Sequence, residues 1–459
     1  MKEEKKTKKR KGAIRVRLID SITAILNTLC YGLIWYMYYV PRLHVPFFRR
    51  GNWLIIFLYF LFYVSLSRVY GSYRISVSRT AELIYGQFLA EIFSTLFIYI
   101  VMLLINHRFL NPLPMLGIMV MEFFISYLWC KAVHKWYFKT FNKVKTAIIW
   151  DERPNLDKLV QEYGLDNYFD VQVTMRVEKS LSSDKFGLEG YDAVFLMDLH
   201  SHERNLIMEY CISNGISVYL MPRIGDTMMW GAKPTHLFHL PIVQVHRFEP
   251  APEFLFFKRF FDIVLSFIAV IILSPLMIGT AIAIKVHDGG PVFYRQVRET
   301  KDGKLFELIK FRSMRVDAEE DGVARLSTGE KDDRVTSVGR VIRKTRIDEL
   351  PQLFNILKGD MSIVGPRPER PEISKQYTEH LPEWPLRLQC KCGLTGYAQV
   401  YGKYNTTPYD KLLMDLTYIS KPSIVEDAKI IFATVKILFT KESTEGVATG
   451  QTTAESNKC

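Results

Sequence analysis

The sequence predicts a membrane protein of mixed α and α/β class: an N-terminal four-helix transmembrane bundle, a Rossmann-like middle domain, and a small, mainly helical α/β domain carried on a further apolar helix with a proline in its middle. Three observations predict it. Four apolar segments fill the chain up to Cys130, strand and helix patterns alternate from Lys145 onward, and a further apolar run, Ile263–Ile284, is interrupted by Ser274-Pro275.

At 459 residues the chain has room for two to four domains. The boundaries are read as 1–143 for the basic start and the four membrane helices, 144–250 for the middle domain, 251–285 for a linker and a further membrane helix, 286–441 for the C-terminal domain and 442–459 for a disordered tail. Hydrophobic residues make up 48%, with aromatics crowded into the first third, a membrane pattern rather than a larger soluble core. The formal charge is +12, and much of the excess lies in Met1–Arg17. An apolar span follows that run directly, so it reads as a topology signal and not as an arm for nucleic acid. The six cysteines are scattered. Cys390 and Cys392 form a lone C-x-C with no second ligand pair, so reduced thiols are expected rather than zinc.

The apolar segments are Leu18–Val40, Asn52–Leu66, Ala81–Ile105 and Pro112–Cys130. Each approaches the roughly 20 residues a helix needs to cross hydrocarbon, the second being short. Basic residues at the start, at Arg68, Arg74 and Arg79, and at Lys131, Lys135, Lys139, Lys143 and Lys145 mark alternate ends as cytoplasmic, and place both ends of the bundle inside. Arg42, Arg49 and Arg50 run against this, so the heavier flanks decide. Glu82, Glu91 and Glu122 are read as bundle-facing or interfacial carboxylates.

In the middle domain, strands are predicted at Thr146–Trp150, Val171–Thr174, Ala193–Met197 and Ile216–Met221, with helices at Asn155–Tyr163 and His202–Asn214. The first strand ends in Trp150-Asp151-Glu152-Arg153-Pro154, which puts bulk and negative charge where a dinucleotide pyrophosphate needs glycines. The domain therefore carries no dinucleotide fingerprint, and an NAD-dependent sugar-nucleotide epimerase or dehydratase is disfavoured.

Glu249–Glu253 is a linker into the apolar run, whose roughly 22 residues could cross a bilayer. Hydropathy alone favours a straight crossing, but a mid-run proline removes a backbone hydrogen bond and bends the helix. Next, Pro291–Val297 and Leu305–Phe311 read as a hairpin, delivering Lys310 and Arg312 to one face. Met314–Asp321 reads as a short helix, and Val335–Thr345 as a basic helix suited to anionic headgroups. The densest chemistry is in Thr345–Glu369. Asp348 and Glu349 open a predicted helix with Asp348 as its cap, Gly359 closes it, and a Gly-Pro-Arg-Pro loop returns the Arg367 guanidinium towards the start. Two carboxylates, free N–H groups and an arginine suit a divalent cation and phosphate, although an Asp-Glu pair at a helix start is also an ordinary cap.

Asp348-Glu349 with Gly365-Pro366-Arg367-Pro368, Lys310-Phe311-Arg312-Ser313-Met314 upstream and Gly393-Leu394-Thr395-Gly396-Tyr397-Ala398-Gln399-Val400 downstream resemble the motifs of bacterial polyprenyl-phosphate phosphoglycosyl transferases. The resemblance covers roughly 252–441 and is closest to the large membrane enzymes that initiate exopolysaccharide and capsule synthesis. It implies transfer of a hexose-1-phosphate from a UDP-sugar to undecaprenyl phosphate with release of UMP. It implies Asp348 as covalent nucleophile, Glu349 as Mg²⁺ ligand, Lys310, Arg312 and Arg367 as phosphate ligands, and Asp415 in a supporting role. Lys258, Arg259, Asp262, Ser274 and Pro275 match the pattern of a re-entrant hairpin, with Lys258 and Arg259 among lipid phosphates. A homodimer in the bacterial inner membrane, with its catalytic domain cytoplasmic, is likewise implied. Cys392 before Gly393 and Glu299 after Arg298 depart from the pattern. A non-catalytic membrane scaffold is the remaining rival.

Overall fold

The computed structural model describes residues 19, 21–44, 50–151, 165–237, 240–316, 318, 334–402 and 406–438. The chain divides into two compact units, Met1–Met221 and Pro222–Cys459.

In the first unit the apolar segments are helices: α1 (21–34), α2 (Gly51–Val69), α3 (Thr80–Asn106) and α4 (Leu113–Thr140). The last three are long and apolar enough to cross a membrane, and α2 outruns the short span predicted for it. The outer faces of these helices are apolar, and polar side chains are buried inside beside apolar ones such as Ile98 and Ile118. Leu33, Trp53, Phe57, Leu104 and Phe124 are exposed, whereas Asn27, Gln87, Glu91, Glu122 and Ser126 are buried. Asn27 Nδ2 donates to Tyr63 Oη at 3.0 Å, Glu91 Oε1 at 3.1 Å and Ser126 Oγ at 3.1 Å, and Tyr59 Oη donates to Glu122 Oε1 at 2.7 Å. That arrangement suits hydrocarbon, where apolar contact gives helices no reason to associate and polar groups need internal partners. Glu91 and Glu122 thus face the bundle, as expected.

The same unit contains a four-stranded all-parallel sheet of order β2-β1-β3-β4, from β1 (Val144–Trp150), β2 (Phe169–Arg176), β3 (Ala193–Met197) and β4 (Ser217–Leu220). A short helix α5 (Val177–Ser182) follows β2, and α6 (Ser201–Asn214) connects β3 to β4. Ile207 and Cys211 of α6 pack on Ala147, Ile149, Val194 and Leu196 of the sheet. The strands and α6 follow the predicted pattern; the helix predicted at Asn155–Tyr163 lies outside the described residues.

The second unit starts with α7 (Ile224–Met229) and a two-stranded hairpin, β5 (Lys233–Leu237) and β6 (Leu240–Gln244). Its organising element is α8 (Pro252–Asp288), 37 residues long, the fourth helix long and apolar enough to cross a membrane. The expected hairpin is here one helix, unbroken across Pro275. Proline has no N–H to offer the carbonyl four residues back, Ile271, and the Ser274 hydroxyl donates to that carbonyl instead, at 2.8 Å. The Ser-Pro pair therefore leaves no orphaned acceptor.

Both ends of α8 are fastened to one domain. Lys258 Nζ reaches Val364 O at 3.0 Å and Asp427 Oδ2 at 2.7 Å. Arg259 donates to the carbonyls of Ile356 and Leu357, at 2.6 and 2.8 Å, and Asp262 accepts from Ile363 N at 3.0 Å. At the far end, Asp288 pairs with Arg312. Between them Ala269, Val270, Met277 and Ile284 pack on the domain core, while Phe256, Phe260, Phe267, Ile271, Ile278 and Ile282 are exposed. The expectation that Lys258 and Arg259 lie among lipid phosphates is thus corrected. They cap protein carbonyls and a buried carboxylate, because the chain returns to cover them.

The rest of the domain is the antiparallel hairpin of β7 (Phe293–Glu299) and β8 (Leu305–Phe311), followed by α9 (Ser337–Lys344), α10 (Gln352–Lys358), β9 (Ser362–Val364), α11 (Pro371–His380), β10 (Gly393–Thr395), α12 (Tyr397–Tyr401), α13 (Pro408–Ser420) and α14 (Ile424–Leu438). Met314 bridges Val335 instead of opening a helix; most of that predicted helix, the loop after it and the tail from Lys441 lie outside the described residues. The motif segment 393–400 is a short strand parallel to β9 and then α12. Its glycines permit backbone contact, since a Cβ on Gly393 would lie 2.1 Å from Gly365 N, and one on Gly396 2.2 Å from Gly365 O.

Candidate active site

Three stretches meet at the site: the end of β8 with Lys310, a 3-10 turn at Ile347–Glu349, and the loop after Gly365 with Arg367. Asp348 is not the cap of the following helix. Arg346, a non-glycine residue with φ +58°, turns the chain into the 3-10 turn, and α10 starts later, with Pro351 at its cap position. A left-handed arginine is costly, and such strain is held where the surroundings enforce it. Here it aims both carboxylates. Gly359 closes α10 with φ +103°, as predicted.

Glu349 Oε1 is the focus of three cations: Arg367 Nη2 at 2.7 Å, Lys310 Nζ at 3.4 Å and Arg346 Nη1 at 3.7 Å. Burial opposes its charge, but Arg367, Lys310 and Arg346 together hold it well below its usual value. Asp348 is 9% exposed. Burial, and then the neighbouring Glu349, push its carboxyl above the ordinary range, against the pull of Lys310, Arg343 and Arg346. Two adjacent carboxylates are thus driven apart, one clamped as an anion and the other reluctant to ionise. That separation marks distinct chemical roles. Burial lowers Lys310, which stays beside Glu349 as a short-range donor.

Arg312 does not join them. Its Nη1 donates to Asp288 Oδ2 at 2.6 Å, its Nε to Pro291 O at 2.6 Å, and it is 7% exposed. Arg312 lies one residue past the end of β8 at Phe311, and its guanidinium is taken up by Asp288 and the Pro291 carbonyl. Asp415 also lies elsewhere: Arg387 Nη2 is 2.7 Å from its Oδ2, and the same Nη2 reaches Arg367 O at 2.9 Å. Arg343, Arg346 and Arg387 were not assigned to the site from sequence. The spacing of Arg343 and Arg346 before Asp348 carried a signal, which their basic helix obscured. Arg343 Nη1 is buried and has no hydrogen-bond partner among the described residues.

Among the described residues no three His, Cys, Asp or Glu side chains are grouped to cage a metal. Glu349, the carboxylate held charged, is the one suited to Mg²⁺, which commonly takes one or two carboxylates and fills its octahedron with phosphate and water oxygens.

The comparisons with known proteins bear on this geometry. Residues 254–441 match the family described as bacterial sugar transferase. The chain is 37% identical over 290 residues to the UDP-N-acetylgalactosamine-undecaprenyl-phosphate N-acetylgalactosaminephosphotransferase of Aeromonas hydrophila, covering 61% of this chain and 67% of that one. It is 40% identical over 191 residues to the UDP-glucose:undecaprenyl-phosphate glucose-1-phosphate transferase of Caulobacter vibrioides, covering 40% of this chain and 71% of that one. The chain belongs to the bacterial sugar transferase family. A longer relative, the undecaprenyl-phosphate galactose phosphotransferase of Salmonella typhimurium, is 41% identical over 268 residues, 55% of this chain and 54% of that one. In this sugar transferase the matched region contains all three stretches of the site, and α8 almost from its start.

Proposed function

We propose that this sugar transferase moves a hexose-1-phosphate from a UDP-sugar to undecaprenyl phosphate, releasing UMP, as the first membrane step of an exopolysaccharide or capsule pathway. The observation that carries the reading is the convergence of Lys310, Arg346 and Arg367 on Glu349 beside buried Asp348. Such a cluster, held by an internal anion, is ready to receive a diphosphate. Asp348 attacks the phosphorus that carries the sugar, the bond to the bridging oxygen breaks, and UMP departs with that oxygen. An oxygen of undecaprenyl phosphate then attacks the same phosphorus and frees the carboxylate, leaving the sugar on a diphosphate. One hard displacement becomes two easier ones. Lys310 and Arg367 grip the donor's phosphate oxygens, and Arg343 offers its free Nη1 to the same charge. Glu349 would hold Mg²⁺, which neutralises charge on the diphosphate and its leaving group.

α8 supplies the location. A helix tied to one domain at both ends, with its outer face apolar, suits shallow insertion from one side of the bilayer. The acceptor's phosphate then stays at headgroup level while its tail stays in lipid. Orientation of this domain to the cytoplasm of the inner membrane, where UDP-sugars are made, belongs to the same reading, as does a homodimer. Single cysteines at positions 256 and 286 should react with an impermeant thiol reagent from the same side of sealed vesicles. Labelling from opposite sides would mean a straight crossing and would end this placement.

The assay that tests the function is UMP release from a panel of UDP-sugars by the purified protein. Release should require both undecaprenyl phosphate and Mg²⁺, and the panel names the sugar: the relatives carry names with N-acetylgalactosamine, glucose and galactose. No release with any of these donors would sink the proposal.

A further inference from the structure

We propose that buried Arg387 and half-buried Arg298 position Arg367 by holding the two backbone carbonyls that follow its side chain, its own and that of Pro368, and that Asp415 serves the reaction only through Arg387. The inference rests on the phosphate-binding role of Arg367 given above. Two of the loop's residues, Pro366 and Pro368, have no N–H, so the loop cannot knit itself together with internal backbone bonds. Instead its four successive carbonyls take donors from outside. Pro366 O accepts from Gly393 N at 2.8 Å and Glu369 O from Glu299 N at 3.1 Å. Between these, Arg367 O accepts from Arg387 Nη2 at 2.9 Å and Pro368 O from Arg298 Nη1 at 3.1 Å. The outer two donors are main chain; the inner two are guanidiniums, and these hold the two carbonyls that directly follow the side chain that meets Glu349.

Both arginines are built in. Arg387 is 3% exposed, and its guanidinium lies 4.4 Å from the centre of the Trp384 ring. Its Nε donates to Asp415 Oδ2 at 2.8 Å, and Asp415 is 1% exposed. Arg298 is 3.8 Å from Glu369. Each positive charge therefore has a carboxylate beside it, which leaves an N–H free to serve as a fixed donor to the loop. The Asp415–Arg387 pair ends at a carbonyl of the phosphate loop, so Asp415 has no need of a metal to matter. Removing one partner of such a pair strands the other charge, whereas replacing both with apolar groups of similar size can leave stability nearly unchanged.

The test uses the full-length protein in detergent or nanodiscs, with UDP–Mg²⁺ binding and UMP release as readouts. The double variant R387M/D415L should melt within a few degrees of wild type yet bind UDP–Mg²⁺ about tenfold more weakly. In an Arg367→Ala background the same double change should add almost nothing, because its target is already gone. Asp415→Asn, which retains an oxygen for Arg387, should weaken binding less than R387M/D415L does and leave the Mg²⁺ half-saturation where it was. Should the double variant fail to fold, Arg298→Met must show the same weakening and the same loss of effect in the Arg367→Ala background. Wild-type UDP affinity in a folded variant, full additivity with Arg367→Ala, or a tenfold shift in Mg²⁺ half-saturation for Asp415→Asn would each overturn the inference. A wild-type protein that binds UDP–Mg²⁺ but releases no UMP would defeat the transfer reaction and leave this positioning testable by binding alone.

Discussion

Asp348→Asn should abolish transfer and at the same time make the protein harder to melt. Loss of activity follows from the proposed chemistry, since an amide is a poor nucleophile towards phosphorus. A fall on the order of 10⁴–10⁶ in turnover is the scale for deleting a covalent nucleophile. Label from a UDP-sugar radioactive in its sugar should remain on the wild-type protein when undecaprenyl phosphate is withheld, and should be absent from the variant. Equal labelling of the two would refute the assignment. The gain in stability follows from the sign of the shift. Burial and Glu349 make Asp348 hold its proton more tightly in the folded chain than in the unfolded one. Folding is therefore disfavoured progressively as pH rises from the unfolded value through the raised folded one, and above that window the full penalty is present. Asparagine carries no such penalty. At pH 8 the variant should melt a few degrees higher, as expected for a gain of about 1–2 kcal/mol. At pH 4 the difference should shrink. A variant less stable than wild type at pH 8 would contradict the account of this pair.

Glu349→Gln should damage both activity and stability. The carboxylate is the common partner of Lys310, Arg346 and Arg367, and an amide leaves a cluster of like charges without its centre. Breaking a buried ion pair from one side costs about 3–5 kcal/mol. Here the sign is opposite to that of Asp348. Glu349 is held low by its cations, so its contribution is complete above the unfolded value and is lost only as pH falls through the depressed folded one. The variant should accordingly melt lower at neutral pH and converge with wild type in strong acid. UMP release should fall on the order of a thousandfold. The residual rate carries a second signal. With the neighbouring charge gone, Asp348 ionises more readily, and the acid limb of the pH–rate profile should move to lower pH. A limb that stays in place, or moves up, would show that Glu349 does not set the ionisation of its neighbour.

Much of this molecule could be read from its sequence because local rules governed it. The presence of α2–α4 follows from runs of apolar residues, although α4 continues ten residues past its run, and β1, β3 and α6 follow from period and turn residues. Arg367 was legible because Gly365 and its flanking prolines permit only a tight return to Glu349. Arg312 misled because it lies one residue past the end of β8, and its guanidinium is taken up by Asp288 and the Pro291 carbonyl. Lys258 and Arg259 misled because a basic pair at the head of an apolar helix looks like a headgroup anchor, whereas their partners come from residues about a hundred or more positions later. Arg387 was invisible for the same reason. Nothing in Trp384-Pro385-Leu386-Arg387 announces a partner at Asp415 or at the carbonyl of Arg367, and only the folded chain brings them together.

The amide of Asn27 has two protons to give, and it sits before three acceptors, one on each of the other three membrane helices. One side chain therefore indexes the rotation of α1 against all its neighbours. Sliding that helix by a single residue would swing the amide by about 100° and uncouple all three at once. The bundle is registered from within, at its polar side chains, while the outward apolar surface remains free to meet whatever lipid is present.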